Sequence, residues 1–210
     1  DTRLEGRDKQ VNSTEDPALQ NEDRTMLGTA QKTWLFDALK KSKATWKIIG
    51  QQVIFSEFNT EFVNFLNRKK TGNLFLDIWN GYPAERLKVI DYIKDNNLDN
   101  IVFLTGDFHS SFAFNVTAEP RNSSLYNPET GEGSIAVEFA TPSITSGNFN
   151  EFLSEYRSRK VEECLNKPCG GFPFFYKKNP NPHMKYADLD RHGYVILNVS
   201  KSGVQADWYY

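Results

Sequence analysis

Apolar and polar positions change period along the chain, and each change marks an element. Residues 8–25 are polar and read as a surface loop. From Thr29, taken as an N-cap, Trp34, Leu35, Ala38 and Leu39 fall on one helical face, and Lys40, Lys41 and Lys43 suit its C-terminal end. A short strand follows over Thr45–Gly50 and runs on through Gln51–Phe55. Phe58, Phe62, Phe65 and Leu66 among polar neighbours predict a short helix within 56–73. Pro83 occupies a first helical position, and Leu87, Ile90 and Ile93 give a stripe that continues to Asn97. Ile101–Leu104 is an unbroken apolar run, as expected of a strand covered on both faces. Strand, helix and strand in succession from Trp46 to Leu104 form a βαβ-type unit and place the chain in the α/β class.

Beyond that unit, Phe112, Phe114 and Val116 alternate and predict an adjacent strand over Ser110–Thr117. Residues 118–133 are a loop, Ser134–Pro142 another strand, and residues 143–148 a polar corner. Residues 149–163 read as one helix and 164–183 as irregular. Tyr194–Val199 and Val204–Tyr210 alternate on either side of Ser200-Lys201-Ser202-Gly203, a hairpin signature.

Candidate chemistry concentrates where the apolar run ends. Gly106 closes it, and Asp107 and His109 follow two residues apart, which in an extended or turning backbone sends both side chains the same way. The carboxyl end of a buried strand is where open α/β sheets hold ligands. Oxygen and nitrogen donors together suit a hard or borderline cation. The same residue types also cap turns, so these positions alone leave both readings open.

Composition narrows the alternatives. The 210 residues carry 39% hydrophobic content, a net charge of −2 and a pI near 6.0, with both signs interspersed. Such a chain can bury a core and has no surface for bulk nucleic-acid binding. No apolar run approaches a membrane span. The two cysteines, Cys164 and Cys169, are expected to form a short-loop disulfide of an oxidising compartment, with free thiols as the alternative. Four Asn-x-Ser/Thr sequons (Asn12, Asn115, Asn122, Asn198) are compatible with export and also common by chance.

Six motifs then occur in order. They are Asp-Thr-Arg at the start, Gly-Gln-Gln-Val at 50–53, Asp-x-Trp-x-Gly-Tyr-Pro-x-x-Arg at 77–86, Leu-Thr-Gly-Asp-x-His at 104–109, Val-Glu-Phe-x-Thr-Pro-Ser-Ile-Thr-Ser at 137–146, and Asn-Pro-His-Met-Lys-Tyr with His-Gly-Tyr at 181–194. Together they resemble the PhoD-like alkaline phosphatase/phosphodiesterase family. The resemblance implies a metallophosphoesterase β-sandwich flanked by helices, of which residues 1–210 are the C-terminal part. It implies hydrolysis of phosphate mono- or diesters at a centre containing iron and calcium, in a periplasmic or secreted enzyme. Asp107 and His109 are then metal ligands, with the carboxylate on the harder, more solvent-facing ion and the imidazole on the iron-type ion.

The same resemblance makes Arg3 a phosphate contact, with an Asp1–Arg3 structural pair as its rival. Asn148 becomes a substrate-binding residue, or one that satisfies a turn. His183 becomes a leaving-group acid or outer-sphere group, or a packed loop histidine. His192 is read as structural. The family's other ligands, on a Gly-Asp-x-x-Tyr strand end and on Cys- and Asn-bearing loops, find no match here, because Gly106-Asp107 is the one Gly-Asp pair. The remaining polypeptide is therefore expected N-terminal to Asp1, and this chain alone is expected to be inactive. Asn80 also departs from the family's usual Asp. A rival without metal is a carbohydrate-binding surface built on Trp79, Tyr82, Trp208, Tyr209 and Tyr210, although such clusters are more often core.

Overall fold

The structure is a computed structural model that describes residues 1–63, 75–171, 174–176 and 178–210. Helix α1 (Gly28–Lys41) precedes strand β1 (Lys47–Gln51); helix α2 (Pro83–Asp95) leads into β2 (Ile101–Thr105), followed by β3 (Ser111–Val116) and β4 (Ala136–Ala140). Helices α3 (Phe149–Leu153) and α4 (Glu155–Leu165), a small pair β5 (Cys169–Gly171) and β6 (Phe174–Tyr176), β7 (Met184–Asp188), and the hairpin β8 (Tyr194–Val199)–β9 (Val204–Tyr209) complete the chain. The main sheet has the order β1-β2-β4-β3-β7, with β1, β2 and β4 parallel and β3 antiparallel to both neighbours.

The βαβ unit forms as the apolar pattern predicts, with β1 beside β2 in parallel. Pro83 starts α2, and the helix ends in a left-handed turn at Asn97, φ 50°. There the Asn97 and Leu98 N–H groups donate to Lys94 and Ile93 carbonyls at 3.0 Å each, satisfying the last turn. Val89, Ile90 and Ile93 are the buried stripe, and Leu87 is exposed. Helix α1 also turns differently from expectation: Leu39 is buried, while Trp34 is 66% exposed and Ala38 faces solvent.

Thr29 is not the cap of α1. The buried Glu85 carboxylate on α2 accepts from Met26 and Leu27 N–H at 2.5 and 2.9 Å, and Lys32 pairs with it at 3.0 Å. A carboxylate at a helix N-terminus meets unpaired N–H groups and the positive end of the dipole. Thr25 supplies the local cap, its hydroxyl accepting from the Gly28 N–H at 2.7 Å, while the carboxylate that holds the two preceding N–H groups comes from 58 residues away and leaves no local signal.

Further differences come from pairing. β3 is not adjacent to β2, because β4 inserts between them. The helix expected over 149–163 is broken at Ser154, whose φ of 73° separates α3 from α4. The stretch read as irregular contains β5 and β6, and β7 arises where no strand was expected, its alternation too weak to read. Of the helix expected within 56–73, residues 56–63 contain one short 3-10 turn, Glu61–Val63, and the rest lies outside the described residues.

One face of the sheet carries Phe103, Glu138, Phe112 and Phe114 into the main core, where Phe55 stacks on Phe103 at 4.3 Å between ring centroids. Trp79 and Tyr82, candidates for an aromatic surface, are 2% and 0% exposed and belong to this core. Hairpin β8–β9 forms as predicted and lies on the other face. There Trp208 meets Phe139 edge-on and donates its indole N–H to the Ala140 carbonyl at 3.0 Å. Cys164 and Cys169 are joined in a disulfide. Among the described residues no helix is long and apolar enough to cross a membrane.

Candidate functional site

The carboxyl end of β2 is held from below by a buried polar chain. Glu138, on β4, accepts from the Phe55 and Ser56 N–H groups at 2.8 and 2.7 Å and from the Thr105 hydroxyl at 2.6 Å. Gln51 donates to that hydroxyl at 3.3 Å and accepts from the Trp79 indole at 2.8 Å. The last residue of β2 is thereby tied to β1, to β4 and to the loop after β1. Burial pushes the Glu138 carboxyl above its usual range, against the opposing pull of its donors.

Above this anchor the chain does not stay extended. Asp107 and His109 both take left-handed backbone conformations, φ 63° and 56°, and the Phe108 N–H donates to the Gly106 carbonyl at 2.7 Å across Asp107. Non-glycine residues held there are strained, and such strain concentrates at functional positions. The two side chains consequently open onto neighbouring spaces. Asp107 lines a cleft with Asp77, Val53 and Ile78, whereas His109 lines a larger cavity, and the aromatic wall Phe75, Phe108 and Phe149 belongs to both. The expectation that spacing alone sends both the same way holds for an extended strand, not for this turn.

Arg3 comes to the site. Its Nη2 group pairs with Asp107 and, at 3.2 Å, with Asp77. The Asp1 carboxylate accepts from the Arg3 N–H at 2.8 Å, so the expected Asp1–Arg3 contact exists through the backbone while the guanidinium serves the cleft. Asp77 was not singled out from sequence; its place at the head of the Asp-x-Trp motif was the available signal.

His109 is oriented by backbone. Its Nδ1 lies 3.0 Å from the Gly147 carbonyl. A ring that donates from Nδ1 to a carbonyl keeps Nε2 as an acceptor, the arrangement in which histidine ligates metals. The loop that delivers Gly147 is braced at both ends. Asn148 is 1% exposed, gives its side-chain amide to the Asp190 carbonyl at 3.1 Å, and donates its N–H to Glu151 at 3.0 Å. Glu151 in turn lies 3.0 Å from His192 Nε2. Asn148 therefore sits behind the loop instead of facing the cleft.

His183 is remote. The Asn115 N–H bonds the His183 carbonyl at 2.9 Å, and Asn115 pairs in register with Val137, three residues along β4 from the Ala140 level of Thr105. That separation is about 10 Å along the strands. The ring is 1% exposed, tilted against Phe114, with Nε2 at 2.8 Å from the Glu57 carbonyl. Burial holds its pKa down to about 3, so it stays neutral. The structure thus gathers Arg3, Asp107 and His109 at one strand end, with Asn148 in support and His183 elsewhere.

Among the described residues no group of three or more His, Cys, Asp or Glu converges. One carboxylate and one oriented imidazole fit a metal centre as part of a ligand set. The guanidinium already lodged between Asp77 and Asp107 marks that cleft as one that attracts positive charge.

The family model for PhoD-like phosphatases matches residues 1–208. Alkaline phosphatase D of Bacillus subtilis (strain 168) is 32% identical over 188 residues, which is 90% of this chain and 27% of that protein. A solved structure of PhoD matches with a TM-score of 0.67 at 29% identity, covering 96% of this chain and 34% of that one. The chain spans about a quarter to a third of the length of these relatives.

Proposed function

This chain belongs to the PhoD-like phosphatase family, and from that premise we propose that it forms the C-terminal part of a metal-dependent phosphoesterase active site, acting on phosphate mono- or diesters. The observation that carries the reading is His109: a strained, left-handed residue whose Nδ1 is fixed to the Gly147 carbonyl, two residues beyond a cleft carboxylate at the end of a buried strand. Asp107 and His109 would hold metal, with iron and calcium the set suited to an imidazole and a hard carboxylate. Bound there, such ions supply neutralisation of phosphoryl charge and activation of water.

The chain's own residues position that chemistry. The Glu138–Thr105 bond fixes the height of the strand end, Gly147 fixes the His109 ring, and Arg3 orients Asp107 and brings positive charge to an incoming phosphate. Asn148 acts through Gly147. The reading leaves His183 out of proton transfer, since an enclosed imidazole held at about 3 gives no proton to a leaving group near neutral pH. The remaining ligands are assigned to the rest of the polypeptide. The disulfide supports export to the periplasm or beyond.

The test is Asp107→Asn and His109→Ala in the full-length protein, assayed on an aryl phosphate ester with and without a chelator. Each should lower kcat/KM by about 100-fold or more, because a ligand is lost and not merely its outer support. Turnover equal to wild type in both variants would reject the assignment.

A further inference from the structure

The cavity beside His109 is of the wrong character for phosphate. It measures about 440 Å³, within the ~300–1,000 Å³ of small-molecule sites. Phe58, Phe108, Phe149, Val161 and Leu189 are among its walls, and Phe152, 76% exposed, stands at its rim. Among the described residues its polar lining is limited to Thr60, His109 and the Gly147 backbone. Apolar walls of this extent are unfavourable against water and favour an apolar occupant.

Its position gives the occupant a role. Phe75, Phe108 and Phe149 line both this cavity and the cleft of Asp77 and Asp107, so one aromatic wall has a charged space on one side and an apolar space on the other. His109 opens on the apolar side. A ligand that engaged both spaces would be amphiphilic, with an anionic group toward Arg3 and an apolar body toward Val161 and Leu189.

We infer that the cavity receives the alcohol side of the substrate, and that this side is apolar, an aryl or alkyl group and not a polyol. The inference rests on the phosphoesterase reading and sharpens its substrate class. In the reaction a water oxygen bonds to phosphorus, the phosphorus–oxygen bond to the alcohol breaks, and the alcohol leaves with one proton from the water. The cavity holds the departing apolar group. Helix α3 buries none of its residues and forms part of the wall with Phe149, Phe152 and Leu153, which gives the rim room to adjust to different groups.

The experiment compares 2-(1-naphthyl)ethyl phosphate with glycerol 1-phosphate, both esters of alkyl alcohols, in the full-length, metal-loaded protein, and measures 1-naphthol binding to the metal-free protein by fluorescence. The expected results are a kcat/KM ratio favouring the naphthylethyl ester by about tenfold or more, and saturable naphthol binding. Val161→Phe, which fills the cavity, should lower both the ratio and the naphthol affinity by about tenfold. Phe152→Ala changes an exposed rim residue, is expected to fold as wild type, and should lower both in the same direction by a smaller factor.

Naphthol that fails to bind the wild type, or binds it and both variants equally, overturns the inference. So does an unchanged ester ratio in both variants. Naphthol binding without hydrolysis of either ester sinks the phosphoesterase reading instead, and with it the role given to the alcohol.

Discussion

Replacing Glu138 by Gln probes the polar chain beneath the site. The carboxylate is fully enclosed and takes three donors, the Phe55 and Ser56 N–H groups and the Thr105 hydroxyl. Gln keeps one acceptor oxygen for Phe55 and Thr105, but its NH₂ group then meets the Ser56 N–H. One buried donor left facing another costs about 1–3 kcal/mol. Ala strips all three donors, and at the same rate the loss is about 3–6 kcal/mol after partial relaxation, a large share of the ~5–15 kcal/mol that holds a domain folded. Urea unfolding followed by tryptophan fluorescence measures both, since the Trp79 indole is bonded into this network through Gln51.

The pH dependence has a definite sign. Burial raises the Glu138 carboxyl above its usual range, so the folded chain retains a proton that the unfolded chain has released. That contribution to stability is full below the ordinary carboxylate pKa and is lost as pH rises through the raised native value. Gln carries no such proton. Its deficit relative to wild type should therefore be greatest at low pH and shrink as pH rises. A deficit that widens with rising pH, or no deficit at any pH, would refute the argument.

Three other outcomes are expected. His183→Gln should flatten the acid limb of the stability curve: the native imidazole refuses a proton down to about 3 while the unfolded chain takes one near 6.5, so wild type loses about 2–3 kcal/mol between about pH 6.5 and pH 4 that the variant does not. Gly81→Ala should cost about 2 kcal/mol or more in the same unfolding assay, because the added Cβ would sit 1.9 Å from the Leu76 carbonyl oxygen, closer than van der Waals contact allows. Arg3→Lys should lower kcat/KM of the full-length protein by about tenfold, since a point charge cannot reproduce the guanidinium shared by Asp77 and Asp107. Unfolding stability should move by less than about 0.5 kcal/mol, the groups being half exposed.

Period and end signals in the sequence determined the elements whose stability is local. Pro83 and the Ile90–Ile93 spacing make α2, although the buried stripe takes Val89 where the pattern placed Leu87; continuous apolar character makes β2, and alternation around Ser200–Gly203 makes the final hairpin, because each depends on residues within a few turns of one another. Gly106, Asp107 and His109 were legible as a candidate site for the same reason. Tertiary structure decided what depends on distant neighbours. The β4 insertion between β2 and β3, the capping of α1 by Glu85 and the Glu138 anchor are bonds between segments dozens of residues apart, and no local pattern encodes them. Long-range packing also turned Asp107 and His109 away from the extended geometry that spacing alone suggests. It drew Arg3 across from the chain start and sealed His183 in the core. A backbone carbonyl, that of Gly147, orients the imidazole, and a carbonyl is common to every residue, so only its position in space could reveal it.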